Sequence, residues 1–410
     1  MKLMRAVTGM RVAFLAGNTT FTVSQGLVLV SIGRMLGAEG VGIYALALAV
    51  VSPVFLLAKL RLQDILATDR TALDQWPTYL KVTGLTNLAA LVTTSIIATV
   101  WGPELLSIVA PLALSKVAEN FILAAQGAAQ GGDELMFIVR SNVLRACLSA
   151  GILSGALLAW GSLATALWLV AGAWTAQFVL TDARVFRRHA VPSEAQPAPR
   201  MSTVLVDLFP LGLASCLLSL NQNGIRILLE LEMGTAAIGV FAATAYLVRL
   251  GTLFSRAIAQ LLSPAIRRAN QSGQPDEITR SVRKAADLMV ILGASSSVVG
   301  ALVGPTIMQI ALGPSLRPSW QLVAVVLSAG AFLYGSMVLT MGAVGLGLHQ
   351  MQLWVVSVTL VVALTSAFVL IDWFGVLGAG LAWMVGEGTR FFALRRTIRH
   401  RALNLAPRTT

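Results

Sequence analysis

Apolar stretches of membrane-spanning length fill this chain almost end to end. They occupy 12–33, 41–62, 79–101, 104–127, 136–159, 162–182, 204–228, 235–260, 286–312, 318–345, 350–371 and 374–395. A helix needs about 20 apolar residues to cross the hydrocarbon core. Turn signals separate the stretches, among them Trp101-Gly102-Pro103, Gly131-Gly132-Asp133 and Gly313-Pro314. Only 12% of the 410 residues are charged, against about 25% in a soluble domain. The sequence predicts an all-α, polytopic membrane protein of about twelve transmembrane helices.

The net charge of +12 would suggest nucleic acid in a soluble protein. Here its distribution points to topology instead. With the N-terminus in the cytoplasm, the inside segments hold Lys2, Arg5 and Arg11, then Lys59 and Arg61, then Arg140, and later the cluster Arg395, Arg396 and Arg399. The outside segments hold only Arg34 and Arg317. Such an alternation fits the positive-inside rule with both termini cytoplasmic. The first span follows Lys2, Arg5 and Arg11 with no small-residue cleavage site, so it reads as its own insertion signal. Multi-pass insertion in a plasma membrane follows, with no nucleic-acid partner.

Two halves are legible. Segment 183–203, with Pro192, Pro197 and Pro199, reads as a cytoplasmic linker between 1–182 and 204–410, the second half ending in a basic tail. Loop 263–285 reads as a short interfacial helix. The glycine-rich hinge Gly37-Ala38-Glu39-Gly40-Val41-Gly42-Ile43-Tyr44-Ala45 is echoed by Gly234-Thr235-Ala236-Ala237-Ile238-Gly239-Val240-Phe241-Ala242. Gly37 falls opposite Gly234, Gly42 opposite Gly239, and Ser24-Gln25-Gly26 opposite Asn221-Gln222-Asn223. Internal repeats of this kind are common among transporters.

Catalytic patterns are missing. The histidines are His189, His349 and His400, all near loops or termini. No metal, nucleotide or nucleophile-elbow motif occurs, so neither an enzyme nor a cofactor or metal is expected. The informative residues are charges inside spans, since each costs about 2.5–3.5 kcal/mol at the bilayer centre. Lys116, Glu119 and Asn120 share one face of span four. They form an internal ion pair locking the helix, or else a lumen-facing anion contact or a proton-linked pair. Arg249 lies deep in span eight and reads as cavity-facing, whereas Arg256 reads as interfacial. Arg226 closes the polar run Asn221-Gln222-Asn223, where snorkelling and ligand contact are both open and Glu230 or Glu232 could partner it. Glu387 and Arg390 read as a structural i, i+3 bridge. Arg145 reads as lying near the inner edge of its span. Basic residues outnumber acids inside the spans, which suits a phosphate-bearing anion better than a cation.

The run with Gln25, Arg34-Met35-Leu36-Gly37, Gly40-Val41-Gly42-Ile43-Tyr44-Ala45, Asp64 and Thr68-Asp69 resembles the bacterial polysaccharide and O-antigen flippases. These belong to the multidrug/oligosaccharidyl-lipid/polysaccharide (MOP) exporter superfamily. Gly239-Val240-Phe241-Ala242 and Leu262-Ser263-Pro264-Ala265 resemble that family's second half. The resemblance implies two six-helix bundles around a central lumen, alternating access, and an undecaprenyl-pyrophosphate-linked glycan as substrate. It also implies membrane lipid and other polysaccharide-assembly proteins as partners. Lys116 and Arg249 carry over as basic lumen residues by depth. Arg226, Gln25 and Gln222 complete the candidate substrate contacts, and Glu119 and Glu387 are the candidate ion-coupling acids. The competing readings are a drug or cation antiporter of the same superfamily, and less favourably a membrane-embedded polymerase or scaffold.

Overall fold

The structure is a computed structural model, and it describes residues 2–132, 134–188, 199–271, 275–345 and 348–405. Among these residues every regular element is a helix. A backbone in hydrocarbon must pair its own polar groups, and a helix does so within one segment. Ten of the helices are long and apolar enough to cross a membrane. The first of the ten, Thr19–Thr68, has 50 residues. As continuous helix at 1.5 Å per residue that would be about 75 Å, more than twice the ~30 Å hydrocarbon thickness. It holds residues 19–33 of the first expected span and all of the second. The twelfth falls on a helix over Val376–Leu405, whose Glu387 and Arg390 lower its hydropathy.

The chain divides into two compact units, one up to Ser219 and one from Leu220. In the first, α1 (Lys2–Ala58) is followed by the short α2 (Leu62–Thr68) and α3 (Arg70–Asp74). Then come α4 (Trp76–Trp101), α5 (Pro103–Gly131), α6 (Leu135–Trp160) and α7 (Leu163–Gln177). A π-helical turn over Phe178–Asp182 leads into α8 (Arg184–Arg188), and α9 (Met201–Met233) runs through the junction of the units. The second unit continues with α10 (Thr235–Gln271), α11 (Pro275–Leu312), α12 (Trp320–Gly345), α13 (His349–Phe374) and α14 (Val376–Leu405). Part of the expected linker is therefore helical, and its residues 189–198 lie outside the described ones. The expected interfacial helix at 263–285 is replaced by the ends of α10 and α11, because the two long helices simply extend past the apolar stretch.

The hinge at 34–40 is one residue rather than a loop. α1 is helical on both sides of Gly37, which sits at φ 67°, ψ −160°, a conformation essentially reserved for glycine. Its sequence counterpart Gly234 also has positive φ, at 78°, and it separates α9 from α10. Gly102, Gly161, Gly313 and Gly375 share the property. Among the described residues each unit thus carries three such glycines, one at every turn that leads from an odd-numbered expected span to the next.

Packing within the first unit relies on small residues. Ala124, Ala125, Ala128 and Ala129 of α5 are buried with Leu60, Leu66, Val185 and Phe186, and Val204 and Leu208 of α9 join them. A Cβ added at Gly127 would lie 2.4 Å from the Gln63 carbonyl oxygen, and one at Gly131 2.5 Å from that of Leu66. α2 therefore rests directly on the α5 backbone, the close approach that small residues permit in membranes. In the second unit α12 packs against α10, α11 and α14. Gly293 of α11 faces the Ala331 backbone of α12 closely enough that a Cβ would sit 2.5 Å from its Cα. Residues such as Val100, Leu158 and Leu302 are strongly exposed, as lipid-facing positions should be.

Candidate functional site

In the first unit a polar chain runs through apolar surroundings. It begins at Lys116 on α5, one helical turn from Glu119. The Lys116 Nζ donates to the Glu119 carboxylate at 2.6 Å, and Arg145 Nη1 of α6 lies 3.5 Å from the other carboxylate oxygen. Lys59 stands within electrostatic range of the same carboxylate. Three cations therefore surround one acid. Lys116 keeps 25% of its side chain exposed, against 4% for Arg145, so Lys116 is the accessible end of the cluster.

Arg145 is held from several sides. Its guanidinium lies 3.9 Å from the Phe21 ring centroid and 5.6 Å from that of Trp174. Its Nη2 donates to Asn142 at 3.2 Å. Asn142 also accepts from Gln126, which donates to Ser141 as well. Ser141 donates to Asp182 at 3.1 Å, and Gln177 and Thr181 donate to the same carboxylate. Beside this chain, Asn120 donates to Asn87 at 2.7 Å. Pairing of this kind is what makes buried polar groups tolerable.

The second unit has a different electrostatic pattern. Arg226 donates to Asn223 at 3.0 Å, one turn back on α9. Arg249 of α10 is exposed and within electrostatic range of Arg226. Among the described residues neither arginine joins an ion pair. Glu230, an expected partner of Arg226, instead accepts from Thr235 at 3.0 Å, because it closes the α9–α10 turn. Glu387 is fully buried. It accepts from Asn221 at 3.3 Å and lies 3.7 Å from Arg390, and Arg390 also donates to Thr340. That is the structural bridge its spacing suggested. Gln25 and Gln222 are half-buried, one in each unit. Arg256 has its helix position described but not its side chain.

Arg145 corrects the sequence reading. Its sequence position reads as near the inner edge of the span, yet it is ten residues into the 26-residue α6, about 15 Å from its start, and buried. The signal was available: a lone arginine midway along an apolar stretch is too deep to snorkel. The polar turn Ser141-Asn142 before it and Gln126 on the preceding helix offered its partners.

The fold is shared with solved transporters of the MOP superfamily. It matches the inward-facing conformation of a multidrug resistance MATE family transporter of that superfamily with a TM-score of 0.68 over 96% of both chains, at 15% identity. It matches the lipid II flippase MurJ, inward closed, with a TM-score of 0.72 over 96% of this chain and 90% of that one, at 8% identity. A MOP superfamily transporter from Pyrococcus furiosus, described by a binding pocket of reversed polarity, matches at 0.65 over 98% and 96%, with 15% identity. In sequence, the chain is 23% identical over 369 residues to the capsular polysaccharide biosynthesis protein CapF of Staphylococcus aureus, covering 88% of this chain and 91% of that one. No family model matches. The resemblance to the polysaccharide flippases of the MOP superfamily read from the hinge residues stands with these findings, and the chain is a multi-pass membrane protein with a transporter fold.

Proposed function

We propose that this protein is a flippase that moves lipid-linked oligosaccharide repeat units, carried on undecaprenyl pyrophosphate, across the bacterial inner membrane by alternating access. Its termini face the cytoplasm, and the product feeds O-antigen or exopolysaccharide synthesis. The observation that carries the reading is the surplus of deep positive charge. Arg226 and Arg249 lie within electrostatic range of one another with no ion-pairing carboxylate among the described residues, and Lys116 and Arg145 outnumber Glu119. An unpaired arginine inside a membrane costs several kcal/mol unless an anion or water reaches it. A pyrophosphate supplies that anion and accepts the forked geometry of guanidinium groups. At an effective dielectric near 20, opposite unit charges ~4 Å apart attract by about 4 kcal/mol, so each cation contributes measurably to capture.

Gln25 and Gln222 serve as hydrogen-bonding contacts for the head group. The similarity to a capsular polysaccharide protein and the fold shared with a lipid II flippase support a lipid-linked glycan as cargo. A cation antiporter is less favoured, because Glu119 and Glu387 are both already engaged by basic side chains. Glu119 and Glu387 remain the candidates for coupling to an ion. Complementation of a deletion strain tests the reading: the Lys116→Ala, Arg249→Ala double variant should insert at normal abundance and fail to restore polysaccharide export.

A further inference from the structure

We propose that the groove between α13 and α14 is a binding site for an anionic phospholipid of the leaflet at the protein's basic end. The groove has a volume of about 970 Å³, with walls that include Met351, Trp354 and Val358 of α13 and Val385, Phe392 and Arg396 of α14. Trp354 is 62% and Phe392 59% exposed, so its two largest rings are left uncovered by the rest of the chain. On a membrane-spanning chain such apolar surface meets lipid, and here it is concave.

Charge selects the occupant. Arg395 and Arg396 are neighbours with different fates. Arg395 is neutralised by Asp287, which it meets at 2.6 and 3.2 Å. Arg396 is exposed, lines the groove, and is in no ion pair among the described residues. Thr389 and Thr397 also line the groove, the Thr389 hydroxyl donating to the Val385 carbonyl at 2.8 Å. An apolar slot with a guanidinium fits a phosphate head on apolar chains.

Length selects among phosphate-bearing lipids. From Val385 to Arg396 is eleven residues, about 16 Å of helix. Half of the ~30 Å hydrocarbon core is about 15 Å. The groove therefore matches acyl chains confined to one leaflet, not a polyprenyl chain that exceeds it. The site is independent of the transport reading, and its test needs no transport.

The experiment reconstitutes the full-length protein into vesicles and reads tryptophan quenching by brominated phosphatidylglycerol or brominated phosphatidylcholine. Native protein should be quenched at lower mole fraction by phosphatidylglycerol. Trp354→Phe should reduce that difference sharply, since it removes the reporter in the groove and leaves the eight tryptophans elsewhere. Arg396→Gln should reduce the preference about fivefold, the effect of one basic residue at an anionic surface. Val385→Phe, which narrows the slot without adding a tryptophan, should remove it, and Arg399→Gln should preserve it. Equal quenching by both lipids, or an unchanged preference in Arg396→Gln, overturns the proposal. So does displacement of the brominated lipid by equimolar polyprenyl phosphate, which would assign the groove to the polyprenyl tail.

Discussion

Arg145 and Glu119, 26 residues apart in sequence and on different helices, lie 3.5 Å apart inside the first unit. Neither position is solvated well enough to carry its charge alone. The pair makes α5 and α6 electrostatically dependent on one another, and Lys116 adds a second cation at 2.6 Å. Glu119→Gln keeps the shape and removes the charge. It should destabilise the protein by about 3 kcal/mol, the lower end for a buried pair that loses one partner, because Lys116 is partly hydrated. Thermal unfolding in detergent measures this.

Arg145→Ala should be more damaging than Lys116→Ala to that same unfolding temperature. Arg145 contributes a contact with Phe21, worth about 2 kcal/mol when desolvated, and its bond to Asn142. Lys116 gives up one ion pair and leaves Glu119 still facing Arg145. Equal losses in the two variants would show that the aromatic contact is energetically idle.

Glycine positions separate turn geometry from packing. Gly37→Ala should cost about 1–3 kcal/mol through backbone strain at positive φ. Gly127→Ala should destabilise through its clash with the Gln63 carbonyl. Gly151→Ala, in the interior of α6 with open space around its Cβ, should be neutral or stabilising by up to about 1 kcal/mol. Expression level and unfolding temperature of the three variants provide the comparison.

The six positive-φ glycines make a topological prediction. Cysteines placed beside Gly37, Gly102, Gly161, Gly234, Gly313 and Gly375, with Cys147 and Cys216 replaced, should all label from the same side of the membrane. Residues near Arg188 and Arg399 should label from the other. A split among the six positions would break the twelve-span reading.

Much of this architecture was legible in the sequence, for a physical reason. Apolar length dictates a membrane helix almost without regard to tertiary context, and Gly37 and Gly234 announced both the hinge and its repeat. What stayed hidden depends on partners far away in sequence. Arg145 could be placed by depth but not paired without knowing that α6 lies beside α1 and α5. Glu230 looked like a partner for Arg226 by spacing, yet the α9–α10 turn claims it through Thr235. The one-residue bend in α1 was hidden too, since a loop and a kinked helix share the same glycine-rich spelling.

In the second unit, charge and fork geometry can be separated. Arg249→Lys should retain part of the transport activity, because it keeps the cation and loses the bidentate donor set. Arg249→Ala should lose most of it, with Arg226→Ala close behind. Export in a complemented deletion strain, normalised to protein abundance, ranks the three.

The central claim is tested most directly by translocation itself. Purified protein would be reconstituted into liposomes with a pyrophosphate-linked oligosaccharide lipid, and the glycan's exposure to an external glycosidase followed over time. The account predicts protein-dependent movement of the glycan between leaflets, at least tenfold slower with the Lys116→Ala, Arg249→Ala variant. Glycan exposure no faster than in protein-free liposomes, alongside uptake of a cationic drug by the same proteoliposomes, would contradict it.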